Sequence, residues 1–176
     1  MSGADATQWI EVKVQTVHQL FNSMDPSPFH ERDLDHDAEQ FIVGWAQEYA
    51  LRTPLRLVVH LGQPPEKAAI ADSIHHYFAY RADMNLREFR QLMREGWMSL
   101  LIGLAFLAAC MTIAKMLTAL MGAWHPVMKE GLTIIGWVAM WRPLEIYLYR
   151  WWPIRHLGRI YRKLSEIPVE IRVAGT

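Results

Sequence analysis

Apolar and polar residues alternate near the start of the chain. Ile10, Val12 and Val14 are interleaved with Glu11, Lys13 and Gln15, the period-two pattern of a strand with one face in water. Leu55, Leu57, Val59 and Leu61 alternate with Arg56, Val58 and His60 and predict a second strand. Between them the spacing becomes helical, with Ala38, Phe41, Ile42, Trp45, Ala46 and Tyr49 at i, i+3, i+4 and Asp35 placed as the N-cap. A right-handed crossover through that helix makes the strands parallel and lays the helix on their apolar face.

Pro64 and Pro65 open a second helix, in which Ile70, Ala71, Ile74, Tyr77 and Phe78 form one apolar stripe. After Asp83 the pattern sets Leu86, Phe89, Leu92, Met93 and Trp97 opposite Arg87, Glu88, Arg90, Arg94 and Glu95. This amphipathic run over 81–96 is expected to lie near a membrane surface or to form a stalk.

From Trp97 to Ala114 no residue carries a charge. A helix of that length rises roughly 27 Å, close to the hydrocarbon thickness of a bilayer, and predicts a first transmembrane span. Lys115 can snorkel to the far interface, and Met116 to Trp124 can extend the helix past it. The second span is less uniform. Gly131 to Trp141 is apolar but too short to cross, and Arg142, Pro143, Leu144 and Glu145 intervene before Ile146 to Tyr149. Reading through them gives a span of sufficient length, with Pro143 as a kink. Arg142 costs roughly 3 kcal/mol at a helix centre; pairing with Glu145, three residues on, reduces that cost. Ser99 with Gly103, and Ala105 with Ala109, have the small-xxx-small spacing of close helix packing.

Arg81, Arg87, Arg90 and Arg94 precede the first span, and Arg150, Arg155, Arg159, Arg162 and Lys163 follow the second. Lys129 lies in the intervening loop. The positive-inside rule then puts both flanks and both termini in the cytoplasm and the loop 123–130 outside. Tyr147, Tyr149, Trp151 and Trp152 form an inner aromatic belt. Residues 1–14 hold no apolar core of signal-peptide length, so targeting falls to the first span.

Val169, Ile171 and Val173 alternate with Glu170 and Arg172 and repeat the first strand's pattern after Pro168. Two strands make a marginal sheet, so this segment is expected to return to it, beside the first strand; the plainer alternative is a disordered tail. The expected architecture is a membrane α-helical hairpin of two transmembrane helices with a small cytoplasmic α/β two-layer domain, whose three-stranded sheet the C-terminal strand completes. Residues 1–80 form the α/β domain, 81–96 the connecting helix, 97–152 the hairpin, and 153–176 a cytoplasmic tail with the strand at 169–173.

Composition supports this division. The chain has 18 basic and 18 acidic residues, so nucleic acid is a poor partner, whereas 8 Trp and 10 Met, concentrated late in the chain, suit a bilayer. The single cysteine, Cys110, excludes an intrachain disulfide.

Candidate chemistry is sparse. His30, Asp33, Asp35, His36 and Asp37 crowd oxygen and nitrogen donors into a short stretch that a divalent cation can use. It lacks the glycine and late glutamate of an EF-hand, and a proline-stiffened turn before an acidic helix start explains it as well. His60, His75 and His76 form a second cluster, near the carboxyl edge of the predicted parallel strands. Adjacent helical histidines point about 100° apart, so His75 and His76 cannot readily share one metal. Arg142 and Glu145 stand out because an intramembrane ionisable pair is a functional-site hypothesis in itself. No G-x-S-x-G or glycine-rich phosphate loop occurs, and no cofactor is strongly implied.

Three readings follow. The leading one is a non-catalytic accessory, assembly or regulatory subunit of an inner-membrane complex, in contact with lipid and with other subunits or copies of itself. The second is an oligomeric pore or transporter component using Arg142 and Glu145. The third is a metal-dependent enzyme or sensor in the cytoplasmic domain.

Overall fold

The computed structural model describes residues 7–22, 25, 28, 32–62, 67–120 and 125–173. In chain order these form β1 (Gln8–Val14), a 3-10 turn (Val17–Gln19), α1 (His36–Glu48), β2 (Leu55–Leu61), α2 (Lys67–Leu120), α3 (His125–Ala139), α4 (Trp141–Glu145), a π-helical turn (Ile146–Arg150), α5 (Trp151–Leu164) and β3 (Val169–Val173). The chain is mostly helical and divides into two compact units, Met1–Leu86 with His156–Thr176, and Arg87–Arg155.

The first unit is an α/β module whose sheet has the order β1-β2-β3 with both pairings parallel. Ile10 aligns with Leu57 and Val12 with Val59, while Leu57 aligns with Val169 and Val59 with Ile171, so one face is apolar across all three strands. Ile42, Val43 and Ala46 of α1, Ile70, Ile74 and Phe78 of α2, and Ile160 and Leu164 of α5 complete one core with that face. The sheet's other face carries Trp9 under the guanidinium groups of Arg172 and Arg56, at 5.1 and 5.9 Å, with Glu170 bonded to both arginines.

The returning strand lies beside β2, not beside β1 as expected. The reason lies in β2 itself. Leu57, Val58 and Val59 are consecutive and fully buried, a two-sided burial that belongs to a central strand. β1 leaves Trp9, Glu11 and Lys13 outward and fits an edge.

α1 is also rotated from the expected stripe. Phe41 and Trp45 are 45% and 40% exposed and pack on each other, while Glu39 turns inward at 7%. Asp35 caps the helix as expected, its carboxylate accepting from Asp37 N at 3.0 Å.

In the second unit the apolar part of α2 runs antiparallel to the segment from α3 to the π-helical turn. Three close approaches set the register. A Cβ on Gly136 would lie 2.8 Å from Leu107 Cδ1, one on Gly103 would lie 3.0 Å from Ala139 O, and one on Gly96 would lie 3.0 Å from Ile146 Cγ2. Gly96, Gly103 and Cys110 recur at heptad spacing and are all buried, a seam of small residues that lets two helix backbones meet. Ser99 borders that seam, whereas Ala105 and Ala109 are exposed, so the second small-xxx-small pair plays no part in it.

Pro143 acts as expected on the second arm. It has no N–H for the carbonyl of Ala139, and Met140 N tightens back onto Trp137 O at 3.0 Å. The arm is therefore split into α3, α4 and the π-helical turn. Gly103 is the residue that meets the Ala139 carbonyl, where any Cβ would crowd the oxygen. Among the described residues α2 is the one helix long and apolar enough to cross a membrane, and α3, at 15 residues, falls short alone.

Candidate functional site

The sequence-derived candidates do not assemble into one centre. His30 lies outside the described residues. Asp35 is occupied in capping α1, and Asp37 is an exposed first-turn carboxylate. The His36 ring meets Gln40 Nε2 at 2.9 Å one turn on. Asp33 is held through its backbone: its N–H donates to Asp25 Oδ2 at 2.8 Å, and its carbonyl accepts from Asn22 N at 2.8 Å. Burial, then the neighbouring Asp25 carboxylate, raises the Asp33 pKa above its ordinary value.

The three remaining histidines separate as well. His60 Nε2 lies 3.3 Å from Glu11 Oε2 on the outer sheet face, at ion-pair distance but without hydrogen-bond alignment. His75 Nε2 lies 2.8 Å from the carbonyl of Ile167, tying α2 to the turn that leads into β3. His76 is exposed. Among the described residues no group of three His, Cys, Asp or Glu side chains is placed to hold a metal ion.

The polar centre that the fold does build lies where α1, α2 and α5 meet. Glu39 Oε2 accepts from the Tyr77 hydroxyl at 2.8 Å, and Glu39 Oε1 accepts from Arg81 Nε at 2.7 Å and from the Tyr161 hydroxyl at 3.1 Å. Arg81 Nη2 donates to the Tyr161 oxygen at 3.0 Å and closes the circuit. The Arg81 guanidinium also lies 5.2 Å from the Tyr161 ring centre, in cation–π range.

Burial, then the hydrogen bond to Glu39, pushes the Tyr77 phenol well above its ordinary value. Tyr161 is raised too, by burial first and then by the Glu39 charge. Both phenols therefore stay protonated and serve as donors. A buried carboxylate with this many donors is a satisfied anchor, and the bonds within the quartet tie three helices together.

Sequence reasoning missed this quartet, although a signal was present. Glu39 sits one turn before Ile42 and Val43, and Arg81 one turn after Tyr77 and Phe78. Opposite charges thus occupy the inward faces of two helices expected to cover the same sheet. The aromatic bulk of Phe41 and Trp45 instead drew the stripe to the neighbouring face.

Arg142 and Glu145 do pair, Nη1 to Oε2 at 3.2 Å, with 54% and 40% of their side-chain surfaces open. The pair lies on the surface of the second unit, just after the break at Met140.

Comparison of the chain with protein-family models, with curated proteins and with solved structures finds no match. The functional reading therefore rests on the residues and their geometry.

Proposed function

We propose that this protein is a two-span membrane subunit that holds a small α/β module at the cytoplasmic face for assembly or regulation of a membrane complex. One observation carries the membrane half. In the second unit most large apolar side chains point outward, including Ile102, Met116, Trp137, Val138, Trp141 and Trp152, each at least 64% exposed, while the seam between the arms is built mainly of glycines and Cys110, with Ile146 packed on Gly96. That inverted distribution suits a hydrocarbon solvent and would be an aggregation hazard in water. In this reading α2 crosses once, and α3, α4 and the π-helical turn together cross back. The Arg142–Glu145 pair then sits toward the inner interface, and the arginine-rich flanks orient both ends to the cytoplasm.

The subunit half rests on the module. Its buried carboxylate is closed on itself, and α1 offers the exposed Phe41–Trp45 pair to a neighbour. The test begins with native membranes. The protein should stay in the membrane pellet through an alkaline carbonate wash and then migrate with a stoichiometric second protein in mild detergent. Release by carbonate would overturn the membrane reading. A particle of this chain alone, with a liposome flux lost in an Arg142→Leu/Glu145→Leu variant, would replace the subunit reading with the pore reading.

A further inference from the structure

An open groove of about 750 Å³ runs between the two arms of the helical unit. Arg90, Arg94, Met98 and Ile102 line one wall at successive helical turns of α2, and Arg142 and Ile146 line the other. Polarity is graded along the groove. Arg90 and Arg94 stand at one end, with Met98 and Ile102 one and two four-residue steps further along, about 6 Å per step. The contacts of Gly96 with Ile146 and of Gly103 with Ala139 put Arg142 roughly level with Leu100, beside the apolar stretch of Met98 and Ile102, where Glu145 offsets its charge.

The charges are not balanced within the site. Among the described residues neither Arg90 nor Arg94 has an ion-pair partner, and both are exposed. Glu95, the acidic residue of the lining, already accepts from Gln91 Nε2 at 3.1 Å, and Arg142 is paired with Glu145. Two unpaired guanidinium groups and one paired one therefore face a groove with a single carboxylate.

We infer that this groove is a binding site for the phosphate headgroup of an anionic phospholipid, with Arg90 and Arg94 on the phosphate and an acyl chain along Met98 and Ile102. Guanidinium groups match phosphate oxygens in a two-pronged geometry, and a basic pocket between helices at the cytoplasmic level meets the anionic leaflet there. A soluble phosphate compound would use the arginines but would leave the apolar floor uncovered. The inference rests on the membrane reading above, because only an embedded unit brings the groove to headgroup depth.

The test uses the full-length protein reconstituted in phosphatidylcholine vesicles containing a minority of phosphatidylglycerol, re-extracted gently and weighed by native mass spectrometry. Wild type should retain one phosphatidylglycerol per chain in preference to phosphatidylcholine. Arg90→Gln/Arg94→Gln should weaken that retention by about thirtyfold, at roughly fivefold per arginine near an anionic surface. The control Arg87→Gln/Arg150→Gln removes the same charge from exposed positions outside the lining and should retain the lipid.

Equal retention in both double variants would overturn the site, and so would displacement of the lipid by millimolar inorganic phosphate, which would identify a soluble anion as the occupant. Protein that stays in the carbonate-washed membrane pellet but keeps its lipid in the Arg90→Gln/Arg94→Gln variant sinks this inference alone. Protein released by carbonate sinks the membrane reading with it.

Discussion

The two halves of α2 obey opposite rules. Within the α/β module its inward stripe is Ile70, Ile74, Tyr77 and Phe78, all buried, and the stripe continues into Arg81 and the buried Asn85. From Gly96 onward the buried positions of the helix are Gly96, Gly103, Cys110 and Ala114, and the large residues Ile102, Leu104, Met111 and Met116 face out. In water a helix is held by hiding bulk, so large side chains go in and any buried charge must be fully hydrogen-bonded. In hydrocarbon, hiding bulk gains little, so close backbone contact along small residues takes its place. The contrast is the one expected if the second half of the helix lies in hydrocarbon, as proposed above, and it predicts which substitutions each half tolerates.

The largest expected effect tests the module's dependence on its last strand. β3 aligns with β2 from Leu57–Val169 to Leu61–Val173, and Leu57 N donates to Pro168 O at 3.0 Å. Deleting 169–176 leaves the central strand with one bare edge and uncovers part of the core. A loss of about 5 kcal/mol is expected, comparable with the whole stability of a small domain. Limited proteolysis should then cut the module while the helical unit stays protected by detergent. Unchanged protease resistance would mean that β3 is not part of the module's cooperative fold.

Next comes the buried carboxylate. Glu39→Ala strips Tyr77, Arg81 and Tyr161 of their common acceptor, and with Arg81 partly open to solvent the cost should be about 3 kcal/mol. Arg142→Leu should cost far less, about 1 kcal/mol at most, since its pair is half exposed. Urea midpoints of the two variants rank them directly. Equal effects would break the claim that the two polar sites differ in kind.

Close backbone approaches give an intermediate test in both regions. Gly158 of α5 abuts the buried Asn85 side chain of α2 in the module, so Gly158→Leu should loosen the module by about 2 kcal/mol. Gly103→Leu pushes a side chain against Ala139 O and Met140 Sδ and should part the arms at similar cost, seen as a lower thermal aggregation temperature in detergent with the module's protease pattern unchanged. Gly136→Ala should be nearly neutral, because its nearest contact is the flexible end of Leu107.

Much of this contrast was legible in the residues. Period-two runs located all three strands, Asp35 marked a helix start, and the uncharged stretch after Trp97 marked the apolar half of α2. Strand order was harder, because β1 and β3 alternate alike; only the two-sided burial of Val58 shows β2 to be central, and that follows from neighbours far apart in sequence. The quartet was hidden for a similar reason. Glu39 and Tyr161 are 122 positions apart, and a charge on an apolar stripe reads as an error in the stripe until its partner is known. The grouping of His60, His75 and His76 rested on the expected carboxyl edge of the parallel strands, and the strand and helix faces pull the three apart.

The smallest expected effect is the response to acid, and it involves two module carboxylates of opposite sign. The hydrogen bond from Arg172, followed in effect by its charge and by Arg56, lowers Glu170 below its ordinary value of 4.5. Its folded-state charge therefore adds stability that is present above 4.5 and is lost as the pH falls through the lowered value. Asp33 is raised above its ordinary 3.8 by burial and by Asp25, so its contribution is present below 3.8 and is lost as the pH rises through the raised value. The two oppose each other on acidification. Glu170→Gln should reduce the acid-induced drop in the module's urea midpoint, and Asp33→Asn should steepen it, because the compensating gain at low pH is gone. Both effects should be small at these solvent-open positions, where water and salt screen the charges. Midpoints measured at a series of pH values below 6 for the three proteins decide the signs; a flatter profile for Asp33→Asn would show that its carboxyl is not raised by burial in the fold.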